Sequence, residues 1–175
     1  VTGGNNTAIG FTSLSANTSG LNLVAVGSQA LVSNTTGNSS VAIGRKALQD
    51  NTTGSNNIAI GQDTLREVTT ASNNTAVGHA ALLSNTSGTN NVALGANAGD
   101  AITTGSYNTA LGKGSLSTSI TASNNTAVGE SALNQSTADN NTAVGYHSLI
   151  ANTTGDQNVS VGSNSLDANT TGRIN

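Results

Sequence analysis

Apolar positions recur along this chain with a fixed step. A phrase Ala–(Val/Ile/Leu)–Gly ends at Gly10, Gly27, Gly44, Gly61, Gly78, Gly95, Gly112, Gly129, Gly145 and Gly162, so eight of the nine intervals are 17 residues and one, Gly129 to Gly145, is 16. Two residues before this glycine stands Ala in every copy but the last, where it is Ser160. One residue before it stands Val, Ile or Leu, and three before it Thr, Val or Ile. β-Branched residues alternating with Ala at period two predict a short strand. Four residues after the glycine a Leu recurs from Leu14 to Leu166, broken only at Gly99. A small residue precedes it, and the segment is expected to form a second short strand, since a 17-residue unit that returns to its start leaves little room for a helix.

Polar positions keep the same step. The tetrapeptide Asn-Thr-(Thr/Ser)-Gly joins Asn17 to Gly20, Asn34 to Gly37, Asn51 to Gly54, Asn85 to Gly88, Asn152 to Gly155 and Asn169 to Gly172. Asn first and Gly fourth is the preference of a type I β-turn. The two ends change together: Val68 and Ser119 replace the Asn where Ala71 and Ala122 replace the Gly, the short copy carries Ser136 and no Gly, and only Ile102 keeps its partner, Gly105. A further Asn precedes the glycine by four residues in eight copies, from Asn6 to Asn158, and stacked amides can bond along such a column.

A fixed period with no insertions marks a repeat in which each copy is one coil. The expected fold is therefore all-β, a parallel β-solenoid or β-roll of ten coils of about 17 residues, covering residues 1–175 as a single array. At 4.7–4.9 Å between strands the rod would be roughly 45–50 Å long. The absence of an initiator Met reads as a fragment of a longer fibrous protein. Two sizeable aliphatic residues per coil are few against the entropy of ordering the backbone. Sideways association with copies of the same chain is expected to supply the rest, with a small-residue face, the Ala column, suited to close approach.

Composition narrows the function. The chain has no Pro, Cys, Met or Trp, only three aromatic residues, 7% charged residues and a net charge of −3. No basic run suits a phosphate backbone, so nucleic-acid binding is not expected, and no apolar run is long enough for a membrane-spanning helix. No disulfide can form. His79 and His147 lie four coils apart, roughly 19 Å at the strand spacing, and no Ser-His-Asp constellation can be placed. Asp and Glu are scattered over repeat positions rather than recurring as a Ca²⁺ β-roll needs. No catalytic residue, cofactor site or metal site is expected, and the chain reads as a non-enzyme. Sequons such as Asn34-Thr-Thr are explained by turn chemistry. A Thr eight residues after the glycine, from Thr18 to Thr170 except at Ile120, offers a regular hydroxyl array of the kind that could order water as ice, but inside the turn rather than on a flat strand. The variable columns one and two residues after the glycine hold Phe11, Arg45, Lys46, His79, Lys113, Tyr146 and His147; variation on an invariant frame marks them as the possible exposed recognition column.

The segments NSSVAIGRKAL (Asn38–Leu48), NNIAIGQDTL (Asn56–Leu65) and NNVALGANAG (Asn90–Gly99) resemble the head repeat of trimeric autotransporter adhesins, a recurring Asn-Ser-Val-Ala-Ile-Gly phrase. The likeness covers most of the chain, although that repeat is about 14 residues long and the excess here falls at the Asn-Thr-Thr-Gly turn. The resemblance implies a left-handed parallel β-roll, a homotrimer, and an extracellular place on a bacterial cell surface, where such heads bind a surface receptor, matrix protein or glycan. Similar arrays also resemble phage tail-fibre segments, which would place the chain on a virion and give it host attachment. A far-ultraviolet circular dichroism spectrum dominated by β structure is expected, and a mainly helical one would refute the reading of the Leu segment.

Overall fold

The computed structural model describes residues 3–175. Ten three-residue strands follow one another in a single ten-stranded sheet in chain order. They run from β1 (Thr7–Ile9), β2 (Val24–Val26) and β3 (Val41–Ile43) to β10 (Val159–Val161), with β4 (Ile58–Ile60), β5 (Thr75–Val77), β6 (Val92–Leu94), β7 (Thr109–Leu111), β8 (Thr126–Val128) and β9 (Thr142–Val144) between them. Every neighbouring pair is parallel and in register, Ala on Ala as in Ala76 opposite Ala93, save the last, where Ser160 lies opposite Ala143. The short coil keeps this register, with Ala127 opposite Ala143. The parallel β-solenoid that the 17-residue step predicts is the fold.

Two expectations are corrected. The Leu segment is not a strand, and among the described residues each coil has one strand only. Residues two and four after the glycine sit in the left-handed region, for example Ala80 at φ 54° and Leu82 at φ 50°, far from the extended backbone of a strand. The Ala80 N–H donates to Gln62 O of the coil before (2.9 Å), and the Leu82 N–H to Ala98 O of the coil after (3.0 Å). The segment is thus a wound corner that still bonds to both neighbours. A bulky residue accepts this backbone because it carries the Leu side chain inward: Leu31, Leu48, Leu65, Leu82, Leu116, Leu133 and Leu149 are fully buried. The second correction concerns the Ala column. It does not face other copies; Ala25 to Ala143 line the interior with the Leu column, and the β-branched columns face outward.

The turn has a specific construction. The Asn17 amide Nδ2 donates to Gly20 O (3.1 Å) while the Gly20 N–H donates to Asn17 Oδ1 (3.1 Å), so a side chain closes the loop where a backbone pair closes an ordinary β-turn. A Cβ at Gly20 would lie 2.5 Å from that Oδ1, which is why Asn and Gly change together. When Val68 or Ser119 replaces the Asn, the Cβ of Ala71 or Ala122 has no Asn Oδ1 of its own turn to meet. Asn51 Oδ1, facing the coil of Val68, is left buried without a partner. The exception also has a cause: at Gly99 the Leu is missing, and an added Cβ there would meet Ile102 Cδ1 at 3.0 Å. Ile102 fills the Leu's space from the Asn position.

The second Asn column bonds mainly through backbone rather than amide to amide. The Asn74 N–H donates to Asn57 Oδ1 (3.0 Å) and the Asn74 Nδ2 to Gly88 O (2.9 Å), and the pattern recurs at Asn91 and Asn108. Ser160, the one interruption of the Ala column, is matched by a second hydroxyl: Ser148 Oγ lies 2.8 Å from Ser160 Oγ, which itself donates to Ser165 O (2.8 Å).

Gly78→Ala should destabilise by about 2 kcal/mol or more, because its φ of +137° disfavours a side chain and its Cβ would lie 2.5 Å from Gly95 O. Gly114→Asn, at φ +62° with nothing nearer than 3.7 Å, should be near neutral in the same urea titration. In a double-mutant cycle, Ile102→Asn alone should cost about 3 kcal/mol through the void and the buried amide. Adding Gly99→Leu, which restores the repeat at both positions, should recover most of that loss.

Candidate functional site

Three surfaces of the rod differ in chemistry: the outer sheet face, the corner after the glycine, and the turn. The outer sheet face carries two files of side chains, one on each side of the inward Ala. They contain only Val, Ile, Leu and Thr, without a charged residue. Ile9, Leu94, Val159 and Val161 are more than half exposed, and Ile43, Ile58, Ile60 and Val92 somewhat less. A strip of ten strands about 4.8 Å apart and roughly 10 Å wide covers on the order of 400–500 Å², toward the upper end of what monomers leave open. Parallel sheets are ordinarily covered on both faces, and here one face has only Ala and Leu beneath it and solvent above it.

The corner columns hold the sequence-derived recognition residues, and the two columns are not equivalent. Residues one after the glycine are exposed: Phe11 (75%), Arg45, His79, Lys113 and Tyr146 (48%). Residues two after it are half-buried with left-handed backbone, Lys46 at φ 62° and His147 at φ 53°, so backbone geometry constrains that column as well as solvent. The fold brings some of these residues together. Arg45 bonds Asp63 at 3.2 Å, and Asp63 neighbours Arg66, which bonds Glu67 at 2.7 Å. The Glu67 carboxylate raises the Arg66 guanidinium above its ordinary pKa. Lys113 lies 3.6 Å from Glu130. Tyr146 and His147 stack with ring centroids 3.8 Å apart and planes at 15°. Phe11 is at the first coil, and His79 stands apart from His147. Asp63, Arg66 and Glu67 are neighbours in one coil, while the link to Arg45, 18 residues earlier, crosses to the coil before and was hidden in the sequence.

The turn residues Asn34, Asn51, Asn85 and Asn152 are fully buried, with each amide bonded to the Gly of its own turn, as in Asn34 Nδ2 to Gly37 O and Asn51 Nδ2 to Gly54 O. Their sequons are structural. Thr35, Thr52, Thr86, Thr103 and Thr153 each donate their hydroxyl to the carbonyl one coil on, so this column's protons serve the rod rather than a water lattice. One column escaped sequence reasoning. The residue six before the glycine accepts a backbone N–H from the previous coil: Asn38 from Leu21, Ser55 from Asn38, Ser72 from Ser55, Ser106 from Thr89 and Asp139 from Ser123. Its signal was a run of small acceptors of mixed type, which a search for one repeated letter passes over.

Among the described residues no three His, Cys, Asp or Glu side chains gather as a metal ion would require, and no helix is long and apolar enough to cross a membrane. Comparison with protein-family models, with curated proteins and with solved structures finds no match in any of the three.

Proposed function

We propose that this chain is a structural and adhesive segment of an extracellular fibre, associating with copies of itself through the outer sheet face. The observation that carries the reading is that face: an uncharged strip of Val, Ile, Leu and Thr on a parallel sheet, running the length of a rigid rod. A partner with the same in-register spacing would bury it without unpaired polar groups, and another copy of this chain has that spacing. The strip alone is about half of the ~800 Å² that each partner contributes to a stable pairwise interface. Association of three copies around one axis would bring each rod against two others. That agrees with the trimeric adhesin head the repeat resembles. The exposed corner residues left at the rim, Arg45, His79, Lys113 and Tyr146 among them, then face outward toward a surface receptor, matrix protein or glycan. Adhesion by such a rod needs no catalytic group; repeated weak contacts along its length add by avidity.

Sedimentation equilibrium at micromolar concentration should give a mass about three times that of the chain. The pair Ile60→Lys and Leu94→Lys, both on the exposed face, should give a folded monomer with an unchanged β spectrum. A stable, folded monomer of the unaltered chain would overturn the proposal.

A further inference from the structure

One backbone bond of the turn face recurs between all described neighbouring coils but one pair. Elsewhere the residue eight after the glycine donates its N–H to its counterpart one coil on, as in Thr86 to Thr103 O (2.9 Å), Thr103 to Ile120 O (2.8 Å) and Thr137 to Thr153 O (2.8 Å). Between Ile120 and Thr137 this bond is absent, and so is the companion bond from Thr121, which Thr70 also lacks. The Ser119 N–H lacks the bond to its own coil's Leu that Asn85 makes to Leu82 O at 3.2 Å, and the buried Ser119 Oγ has no partner. The cause is the 16-residue coil. Its turn reads Ser136-Thr137-Ala138, with Ala138 taking the glycine's role by accepting from Asn125 Nδ2 at 3.0 Å. The exposed residue that Thr121 and Thr154 represent in the coils before and after has no counterpart here. An open recess of about 460 Å³ results, lined by Thr121, Thr137, Thr154, Asp139, Asn140 and the Asp156–Arg173 pair.

We propose that this recess binds a neutral, polyhydroxylated ligand, one hexopyranose unit of a glycan. The volume is within the range of small-molecule sites. The lining offers Thr121, whose backbone donor is unused, the hydroxyls of Thr121, Thr137 and Thr154, and a carboxylate at Asp139, whose Oδ1 accepts from the Ser123 N–H (2.8 Å) and leaves Oδ2 for a sugar hydroxyl. Arg173 is engaged by Asp156 and holds that carboxyl below its usual range, so the charge left over is Asp139's and disfavours phosphate, sulfate and acidic sugars. The lining lacks the apolar walls a hydrophobic ligand needs, while Ile120, next in the chain to the lining residue Thr121 and 53% exposed, is the nearest aliphatic residue in sequence that could meet a pyranose ring. The recess is on the turn face rather than the sheet face, so it does not depend on self-association; a monomer that still bound sugar would leave it standing.

The test is an NMR titration of the ¹⁵N-labelled full chain with glucose, galactose and N-acetylglucosamine in turn. At least one sugar should shift the Ile120, Thr121 and Asp139 amides, with a Kd on the order of 1 mM. Inserting one Thr after Thr137 restores the 17-residue step and fills the recess; it should abolish those shifts and raise the unfolding midpoint. Should that variant not fold, Asp139→Ala should weaken binding about tenfold. No shift with any of the three sugars, equal shifts in the insertion variant, or shifts with inorganic phosphate in place of sugar would each overturn the proposal.

Discussion

Every part of this rod depends on stacking like upon like at one strand spacing. Coils parallel and in register set a distance at which the glycine ending each strand has no room for a Cβ, because its successor's carbonyl occupies that space. The same distance lets an Asn side chain reach one coil on, taking the next Asn's N–H and giving its own protons to a turn carbonyl. It also lets a Thr hydroxyl reach the next Thr carbonyl. Polar groups that a coil of this width would strand inside are met by the neighbouring coil rather than within their own. The monotony of the sequence follows: a residue is tolerated if its counterpart, one coil away, can complete it.

Where a coil departs from the pattern, the departure is compensated locally. Gly99 and Ile102 exchange the Leu and Asn roles across one corner. Ser160 brings a hydroxyl into an Ala column and Ser148 answers it. Val68 leaves one buried acceptor, Asn51 Oδ1, unmet, and the shortened turn leaves more, two backbone donors and the buried Ser119 hydroxyl. Unmet polar groups cost stability, which is why the proposed ligand site is placed there. The proposed packing surface is the charge-free sheet face, so the two proposals rest on different surfaces of the rod.

The period, the strand, the buried Leu column and the pairing of Asn with Gly in the turn were legible in the residues, because each rests on a spacing that a one-dimensional pattern records. Three things were not. The Leu segment reads as a strand because a 17-residue coil leaves little room for a helix, but its backbone turns left-handed at Ala80 and Leu82, and residue type alone does not mark that when the residue is not glycine. The column six before the glycine does its work with Asn, Ser or Asp interchangeably, so no letter repeats. The recognition column reads as free in the sequence, yet half of it is held by left-handed backbone, and Arg45 joins the Asp63, Arg66 and Glu67 cluster only from the neighbouring coil.

By itself the sequence determined the step, the number of coils, and which residues must stack on their own kind, since a repeat of constant length can close only as a coil and glycine, Asn and Leu each tolerate few substitutes there. Only the tertiary structure decided which side of the strand faces in. Period-two alternation names two faces without saying which is the interior. The corner decides it by folding its Leu over the Ala side, so that the small residues fill a narrow core and the β-branched residues are left on the outside.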